Sequence, residues 1–276
     1  MTRRAGILLA CLLSAASGLA LSVAARVDYE RAVERARYQF GIGNTRPFDE
    51  VYPRSVFEKR VEREMVEERA LKNVFGLTVT PDLLAQEFER IEKSTKAPDQ
   101  WEAIKKALGD DRRLIEEVFC RPLLVDRALR ARFAFDQKIH AGPHRKAREA
   151  RAAFLAGKPV AGAKVVLLNR RSEPAPTTDE LLGKAKEQAA LPRVLSPQEK
   201  TPEDAPVFPD PEVAAVLEKE LKRPGDVTTI LEERDRFEVF RLIAVTGESW
   251  KVDAVRFPKV NFDSWLEERT RQDSLR

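Results

Sequence analysis

Histidine and cysteine side chains, the common metal ligands and nucleophiles, are few in this sequence and unfavourably spaced. His140 and His144 are four residues apart, a spacing that suits two metal ligands on one face of a helix. A Gly-Pro dipeptide lies between them, and we expect it to prevent a regular helical turn, so both histidines are predicted to be linker residues. Cys120 lies in an apolar helical pattern, which is typical of a small buried side chain rather than a nucleophile. The sequence therefore predicts no metal site and no cofactor.

Glu238 is the carboxylate whose sequence setting raises a question about chemistry. It belongs to the run Phe237 to Leu242, which is β-rich and apolar enough on both faces to lie inside a sheet. Burying a carboxylate there is costly unless a cation pairs with it, and Arg236, Arg241 and Lys164 are the candidate partners. The alternative is an edge strand from which Glu238 points to solvent.

The composition describes a globular chain long enough for two domains. It has 276 residues, of which 43% are hydrophobic and 34% charged. The 49 Lys and Arg residues against 45 Asp and Glu residues leave a net charge of +4, with the two signs interleaved along most of the chain. Interleaved charges describe solvated helix faces better than a nucleic-acid groove, so no nucleic-acid partner is predicted.

The N-terminus resembles a targeting segment. Arg3 and Arg4 precede an apolar run from Ala5 to Ala25 that ends in small residues. This pattern predicts a signal peptide over residues 1–25, with the mature chain beginning near Arg26. The alternative is an uncleaved anchor helix, because the run is long enough to cross a bilayer, and it would be the one predicted membrane contact. Either interpretation predicts an exported protein of the bacterial envelope, periplasmic if cleaved and anchored in the inner membrane if not.

Residues 26–157 have the apolar periodicity of helices. A long helix is predicted to end at Gly76, and Thr80 and Pro81 supply the cap and first position of the next. Pro122 lies inside a later helical pattern, which we expect it to kink or break. The large side chains on these faces are candidates for a binding surface or for the core: Phe57, Met65, Phe75, Phe88 and Trp101.

The rest of the chain alternates strand and helix patterns. The run Ala163 to Leu168 is β-branched and predicts a buried strand, residues 191–211 are rich in proline and predict a loop, and Pro211 opens a helix. A Pro-Gly-Asp turn at residues 224–226 precedes the strand that carries Glu238. Trp250 to Val260 predicts a last strand, and a final helix follows it.

Two stretches resemble known foldases. Residues 221–245, LKRPGDVTTILEERDRFEVFRLIAV, resemble the last third of the parvulin-type prolyl isomerase domain, and the helical part with its GLTVTPDLLAQEFERI segment resembles the chaperone domain of SurA-like and PrsA-like proteins. The resemblance implies an α+β fold with a mostly helical chaperone domain over 26–157 and a degenerate parvulin-like α/β domain over 158–248. A C-terminal strand and helix over 249–276 would return to the helical domain.

The same resemblance assigns the isomerase pocket to residues that lack its chemistry. The two pocket histidines of the family fall on Val165 and Glu238, its methionine on Val207 and its phenylalanine on Pro211. With these positions changed, no catalytic residue is predicted. The implied function is a chaperone that binds unfolded polypeptide segments of envelope or secreted proteins. A divergent but active prolyl isomerase, or a structural subunit of an envelope complex, are the alternatives.

Overall fold

A computed structural model of the chain describes residues 21–170 and 208–274. They form two compact units, one of residues 21–132 and 266–274 and the other of the described residues between 133 and 265. The described residues combine helices with an antiparallel sheet, a mixed content that is compatible with the predicted α+β class. Most of the predicted signal peptide, Val207 and nearly all of the proline-rich segment lie outside the described residues.

The first unit is helical, as the periodicity predicts. Gly76 ends the longest helix in the left-handed conformation (φ 66°), and the Thr80 hydroxyl caps the next by accepting from the Leu83 N–H. The helices of this unit are α1 (Val23–Tyr38), α2 (Phe48–Val51), α3 (Arg54–Phe75), α4 (Pro81–Ser94), α5 (Pro98–Ala107), α6 (Arg112–Ile115) and α7 (Arg121–Ala134), whose last two residues enter the second unit.

A single π-helical turn, Glu116–Cys120, joins α6 to α7. Pro122 follows it; a proline has no N–H to donate, and its ring crowds the carbonyl four residues earlier. The chain widens there, and the Arg121 N–H bonds to the Glu116 carbonyl, five residues back. The helical path therefore continues through Pro122 instead of ending at it. Cys120 is fully buried in this turn, and burial raises the pKa of its thiol to about 12, as suits a core residue.

The second unit is a four-stranded antiparallel sheet with helices on both faces. Its described elements are α8 (Ala141–Leu155), β1 (Lys164–Asn169), α9 (Pro211–Glu220), β2 (Leu231–Glu232), β3 (Arg236–Thr246), β4 (Ser249–Pro258) and the start of α10 (Phe262–Ser274). The strand order is β1-β4-β3-β2. Alternate residues of β3 pack on opposite sides, Phe240 and Leu242 in one cluster with α9, and Phe237 and Val239 in another with α8. This arrangement confirms the interior strand predicted for the run that carries Glu238.

The two compact units divide the chain at other places than the predicted domains. The strand at residues 249–258 is not part of a separate C-terminal segment, because β4 lies inside the sheet and pairs with both β1 and β3. Likewise the helical domain does not extend to residue 157. The helix α8 packs its Ala147, Ala150 and Phe154 side chains on the sheet and belongs to the second unit.

The two histidines also differ from expectation. The Gly-Pro dipeptide between them lies in the first turn of α8, where a proline needs no N–H partner, and the helix forms regularly. His140 immediately precedes that helix and is 1% exposed. Its Nε2 donates to the Phe133 carbonyl at 2.8 Å, and its Nδ1 accepts from the Val260 N–H at 3.3 Å. His140 is therefore a neutral core residue of the second unit rather than a linker residue.

Candidate functional site

A groove of about 510 Å³ is the feature of the first unit best suited to hold a ligand. It is formed by the start of α1, the second half of α3, the connection that follows Gly76, and one side chain from α7. Its lining residues are Leu21, Val23, Arg26, Met65, Glu68, Arg69, Leu71, Lys72, Leu77, Thr78, Val79 and Arg121.

The wall after α3 is held in place by hydrogen bonds at both of its ends. The left-handed Gly76 turns the chain, and the Leu77 N–H donates to the Leu71 carbonyl at 3.2 Å. At the other end, Arg121 Nη1 donates to the Val79 carbonyl at 3.4 Å and to Glu68 at 3.1 Å. The rest of the Arg121 fork bonds both oxygens of Glu117, at 2.6 and 2.9 Å. One guanidinium therefore ties the wall to α3 and to the π turn.

The floor of the groove is apolar. Met65, Leu77 and Val79 are half-buried and line it beside the buried Leu71, while Val23 is exposed at its edge. Met65 also packs against the cluster around Phe57, so the floor continues into the core. Apolar side chains that remain partly accessible in a concave surface gain free energy when a ligand removes them from water.

The rim is cationic. Four basic side chains line the groove against one acidic side chain, Glu68. The charge of Arg121 is matched by Glu68 and Glu117, as the hydrogen bonds above require. In the part of the chain that the structure describes, Arg26 and Lys72 form no ion pair. The groove thus presents two unmatched positive charges beside an apolar floor.

Arg26 also lines a second, smaller cavity, together with Glu30, Glu64 and Glu117. Desolvation and the neighbouring Glu30 carboxylate raise the pKa of Glu64 to about 8. Desolvation also raises the pKa of Glu30. The guanidinium of Arg60, whose Nη1 lies 3.5 Å from Glu30 Oε2, acts in the opposite direction. At neutral pH the Glu64 carboxyl is therefore mostly protonated, and it does not neutralise Arg26.

The five predicted surface residues differ in exposure, and one of them lines the groove. Phe57 is 0% and Trp101 4% exposed, so these two take the core role that was the alternative to a binding surface. Phe88 is half-buried against Trp101, with ring centroids 5.8 Å apart, and Phe75 is half-buried at the end of α3. Of the five, only Met65 lines the groove. Helical spacing marks the apolar faces of a bundle but does not distinguish a face that is covered from one that stays accessible.

The groove contains residues that periodicity did not select. Arg26 and Lys72 have the same sequence surroundings as other charged helix residues, and Leu77 and Val79 lie in a short connection. Two apolar side chains immediately after a helix-ending glycine are the one local signal that could have singled out this segment.

Glu238 is buried and paired. It is 2% exposed and accepts hydrogen bonds from Arg236 Nε at 2.8 Å and from Arg256 Nε. Arg236 was among the predicted partners, whereas Arg241 pairs with Asp253 across the hairpin. The edge-strand alternative is wrong, because β3 lies between β4 and β2.

The positions aligned with the isomerase pocket do not converge. Val165 is on β1 and 57% exposed, and the whole of β4 separates that strand from β3. Val165 lies in register with Asp253 and Glu238 with Arg256, and residues three apart on one strand point to opposite faces of a sheet. Pro211 is the exposed first residue of α9, and Val207 lies outside the described residues. Val165 and Glu238 therefore cannot line one pocket.

No protein-family model, curated protein or solved structure matched the chain. The resemblance to foldases thus rests on the sequence patterns alone. Among the described helices, none combines the length and apolar character that a membrane span requires.

Proposed function

We propose that this protein is an exported chaperone that binds unfolded or extended polypeptide segments of envelope or secreted proteins. The observation that carries the proposal is the groove of the first unit, where Met65, Leu77 and Val79 form an accessible apolar floor. Its volume of about 510 Å³ is enough for a few side chains of a client, but not for a folded domain.

The chemistry of the floor suits a binder of varied sequences. Methionine is flexible and polarisable, and it adapts to apolar partners of different shape. Each square ångström of apolar surface removed from water contributes about 25 cal/mol, so a few client side chains supply weak, reversible affinity. Weak affinity for many segments is what a chaperone needs, because it must release each client to fold.

The second unit supports binding better than catalysis. Rotation about a prolyl bond requires side chains that converge on the proline ring, and Val165 and Glu238 lie on opposite faces of the sheet. The Glu238 carboxylate is also engaged by two arginines. We therefore assign the sheet a scaffolding role in this proposal.

The test is suppression of aggregation of a chemically denatured client by the purified chain. We expect the wild type to suppress light scattering, and the Met65→Ser/Leu77→Ser double variant to lose most of that effect. Leu83→Ser is the matched control, because Leu83 is an exposed leucine of the same unit outside the groove. Circular dichroism melts establish that both variants are folded.

A wild type that leaves aggregation unchanged would overturn the proposal. An X-Pro peptide assay on the same preparations tests the enzymatic alternative: acceleration abolished by Glu238→Gln would favour an isomerase instead. N-terminal sequencing of the protein recovered from the envelope tests export with cleavage, for which we expect a chain beginning near Arg26.

A further inference from the structure

We propose that the groove selects polypeptide segments in which apolar residues are flanked by an acidic residue. In this proposal Arg26 and Lys72 bind the carboxylate of that residue. The inference rests on the proposed function and adds the chemical class of the client segment. It predicts a preference among unfolded chains, which a purely apolar floor would not have.

Charge complementarity points to an anionic ligand. Arg26 comes from α1 and Lys72 from the last turn of α3, and both line the groove. Other arginines of this unit are held in ion pairs, among them Arg60 with Glu34, Arg63 with Glu67, and Arg121 with Glu68 and Glu117. Arg26 and Lys72 have no such partner within the described ranges. An anionic group of the ligand would supply it.

Three carboxylates near Arg26 could also pair with its charge. Carboxylates face it across the smaller cavity, Glu30 on its own helix, Glu64 on α3 and Glu117 on the π turn. Glu117 is bonded by Arg121, and Glu30 lies 3.5 Å from Arg60. Glu64 has no ion pair in the described structure, and its pKa is raised to about 8, so at neutral pH it carries little charge. The positive charge of Arg26 is therefore available to a ligand in the groove.

The groove suits a polypeptide better than a small anion or a nucleic acid. The two cations line the same groove as an apolar floor, so a free phosphate or a nucleic-acid backbone would leave Met65, Leu77 and Val79 uncovered. An extended peptide presents side chains on alternating sides, so apolar groups can enter the floor while a neighbouring aspartate or glutamate reaches the rim. A polypeptide with mixed apolar and acidic residues fits both parts of the groove.

The experiment measures binding of three fluorescent peptides to the full chain by anisotropy at low salt. The peptides share one apolar core and are flanked by glutamate, glutamine or lysine on both sides. We expect the glutamate peptide to bind about tenfold more tightly than the glutamine peptide, and the lysine peptide to bind most weakly. Raising the ionic strength should reduce the difference, since partly exposed charges are screened.

Variants assign the preference to the two cations. Arg26→Gln and Lys72→Gln should each reduce the glutamate-over-glutamine ratio several-fold, because the loss of affinity should fall mainly on the glutamate peptide. Lys96→Gln, an exposed lysine of the same unit outside the groove, should change neither quantity. Met65→Ser should weaken the binding of all three peptides by a similar factor.

The outcomes separate this inference from the function beneath it. Equal binding of the three peptides by the wild type overturns the inference and leaves the chaperone proposal standing. A glutamate preference that survives in both Arg26→Gln and Lys72→Gln also overturns it. Absence of binding to any peptide counts against the proposed function itself. A further measurement uses vesicles of phosphatidylglycerol. If the wild type binds these vesicles, Arg26→Gln abolishes that binding and the three peptides bind equally, then the two cations bind a lipid surface instead and the inference is overturned.

Discussion

Glu238 on β3 lies directly opposite Arg256 on β4, and its carboxylate accepts a hydrogen bond from the Arg256 Nε while Arg236 donates from its own strand. The carboxylate is buried, whereas the side chain of Arg256 is 54% exposed. The pair is therefore asymmetric: the arginine can return to water if its partner is removed, but the carboxylate cannot.

This asymmetry predicts unequal costs of mutation. Replacing both arginines, in Arg236→Gln/Arg256→Gln, should lower the free energy of unfolding by about 3 kcal/mol, because it leaves a buried charge without a partner. Glu238→Gln should cost only about 1 kcal/mol, since it leaves two arginines that reach solvent. Urea unfolding measures both, with the exposed Arg234→Gln as control. A Glu238→Gln variant less stable than the double arginine variant would contradict this interpretation.

Arg121 should contribute both to the stability of the first unit and to peptide binding in the groove. Its side chain bonds Glu117, Glu68 and the Val79 carbonyl. Arg121→Lys keeps the charge but loses the planar fork, so we expect a loss of about 1–2 kcal/mol and weaker binding of an apolar peptide. Arg113→Gln, at an exposed position of α6, is the control and should leave both unchanged. Unaltered peptide binding by a folded Arg121→Lys variant would show that the wall does not depend on this fork.

Glu64 should make the protein less stable in alkaline solution. Its pKa is about 8 in the folded chain against an ordinary value of 4.5, so the folded state holds a proton that the unfolded state releases between these values. This contribution is complete below pH 4.5 and is lost as the pH rises through 8. We expect Glu64→Gln to be more stable than the wild type by about 1 kcal/mol or more at pH 9, and the difference to shrink towards acidic pH.

Unfolding curves at pH 5, 7 and 9 measure this effect. Glu62→Gln, two residues earlier and exposed on the same helix, is the control and should follow the wild type at each pH. Parallel stability of wild type and Glu64→Gln across this range would refute a half-buried, protonated Glu64.

His140 should have the opposite pH dependence. Burial lowers its pKa from 6.5, and the nearby Lys259 ammonium acts in the same direction, although the bond to the Phe133 carbonyl opposes them. A folded pKa below the unfolded one stabilises the protein above pH 6.5, and that stability is lost as the pH falls through the folded pKa. Protonation would also place an N–H of the ring against the Val260 N–H, which now donates to Nδ1.

The measurement is a pH titration of the two histidine Cε1 protons by nuclear magnetic resonance, together with unfolding at pH 5 and 7. We expect the His140 signal to titrate at lower pH than a model imidazole. The exposed His144→Gln variant should keep the loss of stability on acidification, whereas His140→Gln should show less of it. A His140 that titrates at or above 6.5 would contradict a neutral core role.

Local signals in the sequence determined the element boundaries. Gly76, Thr80 and Pro81 separate α3 from α4 as predicted, and Asn261 caps the last helix by accepting from the Ser264 N–H. Such caps act over one helical turn, so neighbouring residues suffice to predict them. The alternation in β3 likewise revealed an interior strand, because burial on both faces requires apolar residues on both.

Tertiary structure decided what those elements bring together. Arg236 is two residues from Glu238 and could be proposed as its partner, but Arg256 becomes a neighbour only through the β3–β4 register. The register also placed Val165 and Glu238 on opposite faces of the sheet, which no alignment of motifs could reveal. Periodicity marked Phe57 and Met65 alike as apolar, yet packing buries the first and leaves the second at the groove. Local sequence specifies which elements form and which of their faces are apolar. Whether an apolar face is buried, and which charged residues form ion pairs, depends on contacts between residues far apart in the chain.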